Sequence, residues 1–130
     1  MVKILSQDRQ KAASFKRYVF QPMSRPGSLR RELSNIGWPI LKERLVEENG
    51  RLFVAISSSP GHNPYRLSAL EIDIGPLLLQ SKNIFRTRYL KFYLQKYRQA
   101  YSGLLKAETM NVSLSDEYRS KIKELEAILR

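Results

Sequence analysis

Residues 82–106, from Lys82 through Lys106, hold seven basic residues and no acidic one. Arg88, Lys91, Gln95 and Arg98 follow at spacings of three, four and three, so on a helix they form a single stripe. At 100° per residue the stripe is turned about 110° from the row Leu90, Leu94, Tyr97, Tyr101 and Leu104. One face can pack while the adjacent one offers cations to phosphates, which is the chemistry of a nucleic-acid contact. Arg86 and Lys96 add charge to the same segment, and Tyr89 and Tyr93 stand near enough to add stacking or hydroxyl contacts. A solvated coiled-coil face normally mixes both signs of charge, and this one does not. Lys16, Arg17, Arg25, Arg30 and Arg31 would extend the basic surface, the last two from the solvent face of an earlier helix.

A second candidate is Gln21-Pro22, which with Met23 follows the apolar run Tyr18-Val19-Phe20. Ligand crevices of open α/β sheets lie beyond the carboxyl ends of strands. These residues are therefore expected to form a substrate-side loop, where the Gln21 amide can donate and accept hydrogen bonds to a base. The plainer alternative is a strand terminator, because proline cannot continue a ladder.

Most other chemistry is excluded. There is no cysteine, so disulfides, thiolate catalysis and cysteine metal sites are absent together. The single histidine, His62, sits in a Pro-Gly-His-Asn-Pro loop and cannot build a histidine metal cluster. No glycine-rich loop follows a strand, which removes the P-loop and the dinucleotide fingerprint. Glu43, Glu47 and Glu48 flank a turn, where carboxylates are ordinary. No catalytic, cofactor-binding or metal-ligating residue is assigned. The formal net charge of +11 points to a polyanionic partner. The longest apolar run is far too short to cross a bilayer, and Met1–Leu5 lacks the apolar core of a secretory signal. The expected compartment is the cytoplasm.

The elements that must position these groups read as an α/β unit over residues 1–80 and a helical hairpin over 81–130. Residues 3–15 predict a helix with Ile4, Leu5, Ala12 and Phe15 inward. Consecutive apolar positions at Tyr18–Phe20 suit a strand covered on both faces, as in a parallel sheet. Ser24 as cap, Pro26 in the first turn, Leu29, Leu33 and Ile36 on one face and Gly37 as stop predict a helix. Asn49-Gly50 accepts the positive φ angles of a type I′ turn, so Ile40–Glu48 and Arg51–Ser57 predict a hairpin. Leu52–Ile56 should be its inner strand, and Ile40–Glu48 should lie nearer the edge. Gly75-Pro76 breaks two short apolar pieces. Beyond a polar turn at Met110–Ser115, Tyr118, Ile122, Leu125 and Leu129 repeat the four-three spacing of the first long helix, predicting an antiparallel coiled-coil hairpin.

The order of these blocks resembles the bacterial tRNA (adenine-22-N1)-methyltransferase family. Lys16–Met23 is similar to that family's late strand and Gln-Pro turn, and Ser28–Gly37 to its following helix. Leu45–Phe53 resembles its acidic hairpin, and Ile74–Leu79 its Gly-Pro-hydrophobic block ahead of the C-terminal coiled coil. The likeness covers roughly residues 3–106. Phe53-Val54 stand where the family often has Tyr-Glu, and Met23 where it often has Asn. The resemblance implies a class I fold: the last strands of a Rossmann-like methyltransferase sheet, followed by helices that bind tRNA. It implies S-adenosylmethionine as the methyl donor of the complete enzyme, held by an N-terminal half that this sequence lacks, with no donor expected on this chain alone. Gln21 and Pro22 would then lie near the target base, and the basic stripe would hold the tRNA backbone. Two other readings remain open: a stand-alone basic RNA-binding module, and a coiled coil that pairs with another protein. An incomplete sheet with an open apolar edge would also favour self-association, or pairing with the missing methyltransferase half.

Overall fold

The computed structural model describes residues 17–109 and 111–130, which fall into two compact units divided after Asn83. The helix expected over residues 3–15, Lys16 and Met110 lie outside the described residues.

The first unit holds strand β1 (Tyr18–Met23), helix α1 (Gly27–Ile36), strands β2 (Ile40–Glu48) and β3 (Arg51–Ser58), and the short helix α2 (Ala69–Asp73). The sheet order is β1-β3-β2, with β3 antiparallel to both neighbours. β1 and β2 therefore run the same way, joined by α1, and β3 returns between them. The Asn49-Gly50 turn has φ of 52° and 79°, as a type I′ hairpin requires. Its apolar strand is the inner one, as its composition implies. Among the described residues no strand pairs with the outer edge of β1.

Two expectations for β1 are corrected. It is not covered on both faces: Phe20 is buried at 2% exposure, whereas Val19 is 64% exposed. Phe20, Leu45, Val54 and Ile56 point into one core with Leu29, Leu33 and Trp38, and a sheet with a single packed face leaves alternate side chains outside. Gln21-Pro22 also do not follow the strand; they belong to it. Phe20 stands opposite Ile56 and Met23 opposite Val54, so three steps on β1 match two on β3. The extra residue is a bulge, which accommodates a proline that has no N–H for a ladder.

α1 ends as expected. Gly37 adopts φ 82°, and its N–H and that of Trp38 both donate to the Leu33 carbonyl. Its start differs, because Pro26 occupies the cap position and no side chain, Ser24 included, bonds to the first turn. At α2 the Ser68 hydroxyl accepts from the Glu71 N–H while the Glu71 carboxylate accepts from the Ser68 N–H, a reciprocal capping box. Gly75 at φ 121° then turns the chain into the single 3₁₀ turn Leu78–Gln80.

The second unit is two helices, α3 (Arg86–Leu105) and α4 (Val112–Leu129). α4 begins earlier than the polar turn suggests, because the Asn111 side chain accepts from the Leu114 N–H and caps it. The Tyr97 ring lies 6.0 Å from Tyr118, while Arg98 reaches Glu126. Leu94 shares a groove with Leu129 further along α4, so the chain runs back on itself.

Candidate nucleic-acid interface

α3 has a packed side and a charged side. Tyr89, Leu90, Tyr93, Leu94 and Tyr97 are buried. Tyr93 meets Tyr89 at 5.1 Å edge-on and Tyr97 at 5.9 Å, and Tyr97 continues the row onto Tyr118 of α4. Aromatic pairs at these separations add a little stability beyond the area they bury. Tyr89 and Tyr93 therefore belong to the packing of the unit and not to its charged face, which corrects their expected stacking role. On a helical wheel they sit on the flank of the leucine row, so widening the packed stripe from a coiled-coil seam to the usual globular width accounts for them.

Arg88, Lys91, Gln95, Lys96 and Arg98 are all exposed, and Arg86 is half-buried. Five basic and no acidic residues thus lie along α3, whereas α4 carries four acidic and three basic ones. On α4 opposite charges close on each other within the helix: Arg119 with Asp116 at 2.8 Å and Lys121 with Glu117 at 3.4 Å. α3 has no such internal partner to offer. One cross-helix pair does form, Arg98 to Glu126 at 2.7 Å, with both side chains about half exposed. A groove of about 540 Å³ opens beside it, lined by Lys91, Leu94, Gln95 and Arg98 from α3 and by Glu126 and Leu129 from α4. Arg130 lines it as well. Such a groove presents cations and one amide to an anion, with a single carboxylate competing for Arg98.

The sequence expectations missed Phe92, which is 56% exposed on the charged side of α3. The Lys96 ammonium lies 5.4 Å from its ring centroid and 5.3 Å from that of Tyr93. The Arg88 guanidinium lies 5.9 Å from the Phe85 ring. The signal was present: Arg88, Phe92 and Lys96 succeed one another at four-residue spacing, which places all three on one side.

In the first unit the basic residues divide. Arg17, Arg25 and Arg31 are exposed, whereas Arg30 is fully buried. Its expected place on the solvent face of α1 is thereby overturned. The Arg30 guanidinium donates to the Glu43 carboxylate at 2.6 Å and to the carbonyls of Ile72, Asp73 and Ile74 at 2.9, 3.1 and 2.8 Å. Glu43 also accepts from the Leu77 N–H at 2.8 Å and the Leu78 N–H at 3.4 Å. Both side chains are 0% exposed, so this is a structural clasp that ties α1 and β2 to the end of α2. Gln21 and Pro22 are exposed at the end of β1, and His62 is exposed in its loop. Among the described residues no group of three or more His, Cys, Asp or Glu side chains gathers to hold a metal ion, and no helix is long and apolar enough to cross a membrane.

Across the whole chain, a family profile described as TrmK, tRNA (adenine(22)-N(1))-methyltransferase, matches residues 1–127. The chain belongs to this family. Solved structures with the same fold include an uncharacterized protein from Listeria monocytogenes serotype 4b, 20% identical over 98% of this chain with a TM-score of 0.78. The B. subtilis m1A22 tRNA methyltransferase TrmK is 19% identical over 99% of the chain, with a TM-score of 0.79. M. capricolum TrmK, solved with S-adenosylhomocysteine, is 19% identical over 99% of the chain, with a TM-score of 0.69. The chain spans 57%, 58% and 55% of these three proteins. No curated protein matches it in sequence. The neighbours share a mixed α/β, Rossmann-like architecture, one of them being described as a member of the NADB-Rossmann superfamily.

The methyl donor carried by relatives in the family has a clear structural demand: a glycine-rich turn from a strand into a helix N-terminus. The first strand-to-helix connection among the described residues, β1 to α1, runs through Ser24, Arg25 and Pro26. It carries one glycine, Gly27 at the first position of α1, while Gly37 is in a helix stop, Gly50 in the hairpin turn and Gly75 after α2. Among the described residues this connection is therefore not the glycine-rich turn that such a donor takes.

Proposed function

We propose that this chain is the substrate-holding portion of a tRNA adenine-N1 methyltransferase, with α3 as the element that carries the tRNA backbone. The observation that supports it best is the single sign of charge along α3, set against the internally paired charges of α4. A helix that only had to stay soluble would gain by mixing its signs. Family membership supplies the nature of the polyanion. Arg86, Arg88, Lys91, Lys96 and Arg98 contact phosphates, and the first unit offers further exposed cations at Arg17, Arg25 and Arg31. Gln21 and Pro22, exposed at the end of β1, lie toward the target base. The two helices act as an antiparallel coiled coil that holds the charged side open to solvent. Donor binding belongs to strands that continue the sheet beyond the outer edge of β1, and methyl transfer needs them.

Two titrations of the full chain test this division. Adding tRNA should give saturable binding that weakens steeply with salt, because each neutralised phosphate releases counterions. Adding S-adenosylmethionine in a calorimeter should give no binding heat. Donor binding by this chain would overturn the assignment of catalysis elsewhere, and failure to bind tRNA at low salt would overturn the holding role.

A further inference from the structure

We infer that Phe92 is a stacking platform for an unpaired nucleobase, so that α3 reads a single-stranded element of its RNA as well as duplex phosphates. The inference rests on the RNA-holding role of α3 and adds a substrate feature to it. Three neighbouring aromatic residues on this helix, Tyr89, Tyr93 and Tyr97, are buried, while Phe92 is left 56% exposed. Its ring is not loose: it packs edge-on against the buried Tyr93 at 5.9 Å and 89°. One turn on, Lys96 places its ammonium over both rings. One turn back, Arg88 lies on the same side. A base seated on Phe92 would thus have a cation about one turn, or about 5 Å, away in each direction along the helix. That combination of a fixed aromatic face with flanking cations is how sequence-tolerant single-strand sites are built.

An exposed phenylalanine on its own would carry no such meaning. Charge decides the occupant here. A protein surface seated on Phe92 would have to meet Arg88, Lys91 and Lys96 with carboxylates, whereas RNA supplies a phosphate on each side of every base. A paired base keeps its faces stacked within the helix, so only an unpaired one can use the ring.

The test compares wild type with Phe92→Ala and Phe92→Trp, using anisotropy of a labelled single-stranded decaribonucleotide and of a blunt-ended RNA duplex of two fully complementary strands. Phe92→Ala should weaken single-strand binding by about tenfold, within the range measured for loss of one base–aromatic stack. Affinity for the duplex and its salt slope should not change. Phe92→Trp should restore single-strand binding and add a quenching signal absent from the duplex titration. Equal loss on both RNAs, or no loss on either, would overturn the stacking role while leaving the phosphate contact standing. A wild-type chain that binds neither RNA at low salt would overturn both. A shift in sedimentation coefficient on Phe92→Ala, with RNA binding unchanged, would mean that a second protein copy covers the ring, and would overturn it as well.

Discussion

Arginine meets glutamate in both units, with opposite consequences. Arg30 and Glu43 are wholly buried, and between them they satisfy three carbonyls and two N–H groups of the 72–78 segment. Arg98 and Glu126 form an equally short pair that stays about half exposed beside an open groove. In the first unit this one arginine is consumed by the fold, while Arg17, Arg25 and Arg31 stay exposed. In the helical unit Arg98 is left at the surface for a partner, and the carboxylate beside it is held in water. Counting basic residues cannot separate these uses: Arg30 and Glu43 cancel within the +11 of the whole chain, yet that arginine is out of reach of RNA.

The sharpest way to break the contrast is to remove one member of the buried pair. Glu43→Ala should cost about 3–5 kcal/mol, because it strands a guanidinium without water or counter-charge. Urea denaturation followed by circular dichroism measures it, and the variant will be at least partly unfolded if the unit is marginally stable. The double change Arg30→Met with Glu43→Leu should recover part of the loss and not all, since it takes the donor from the Ile72–Ile74 carbonyls. A cost below 1 kcal/mol for Glu43→Ala would show that the clasp does not hold the unit.

Gly75→Ala should come next, at about 1–3 kcal/mol in the same assay. Its φ of 121° is foreign to L-residues, and a Cβ there would lie 2.5–2.6 Å from the Glu43 carboxylate and the Arg30 guanidinium. The exposed pair should behave differently. Glu126→Gln should change stability by less than about 1 kcal/mol. It should tighten tRNA binding a few-fold, read by anisotropy, because Arg98 loses its competitor. Weaker binding would mean that Glu126 positions Arg98 and does not compete for it.

The smallest effect concerns pH. The Tyr65 hydroxyl is pushed up to about 12, chiefly by burial, with the nearby Glu43 carboxylate adding to the rise. It also donates to the Trp38 carbonyl at 2.6 Å. An unfolded tyrosine titrates near 10, so above that pH the unfolded chain loses a proton that the folded one keeps. The contribution of Tyr65 is therefore fully present below about pH 10 and is lost as pH rises toward about 12. The Tm difference between wild type and Tyr65→Phe should narrow across that window and be constant below it.

Much of this architecture was legible in the residues, for reasons that are local. Asn49-Gly50 and Gly37 fix their own backbone, so the hairpin and the end of α1 could be read without knowing what packs on them. The stripe Arg88, Lys91, Gln95 and Arg98 follows from helical spacing alone and is exposed throughout. What could not be read depends on partners distant in sequence. Arg30 looks like any surface arginine until Glu43, 13 residues on, and the Ile72–Ile74 carbonyls, 42 to 44 residues on, converge around it. β1 reads as a doubly covered strand because Val19 is apolar, yet in this chain only the Phe20 side meets a core. Phe92 is hidden for a different reason. The tyrosines, with their hydroxyls, drew the stacking role that the one exposed ring on the charged side is placed to take.

The central claim is that the one-signed face of α3 holds the tRNA backbone. Its direct test is tRNA binding by fluorescence anisotropy at two salt concentrations, for wild type and for a variant carrying Arg88→Glu, Lys91→Glu and Arg98→Glu. Wild type should bind at low salt and weaken steeply at high salt, while the variant keeps its helical circular dichroism and loses most of its affinity and most of its salt slope. Unchanged binding in the variant, or no salt-sensitive binding by the wild type, would contradict the account.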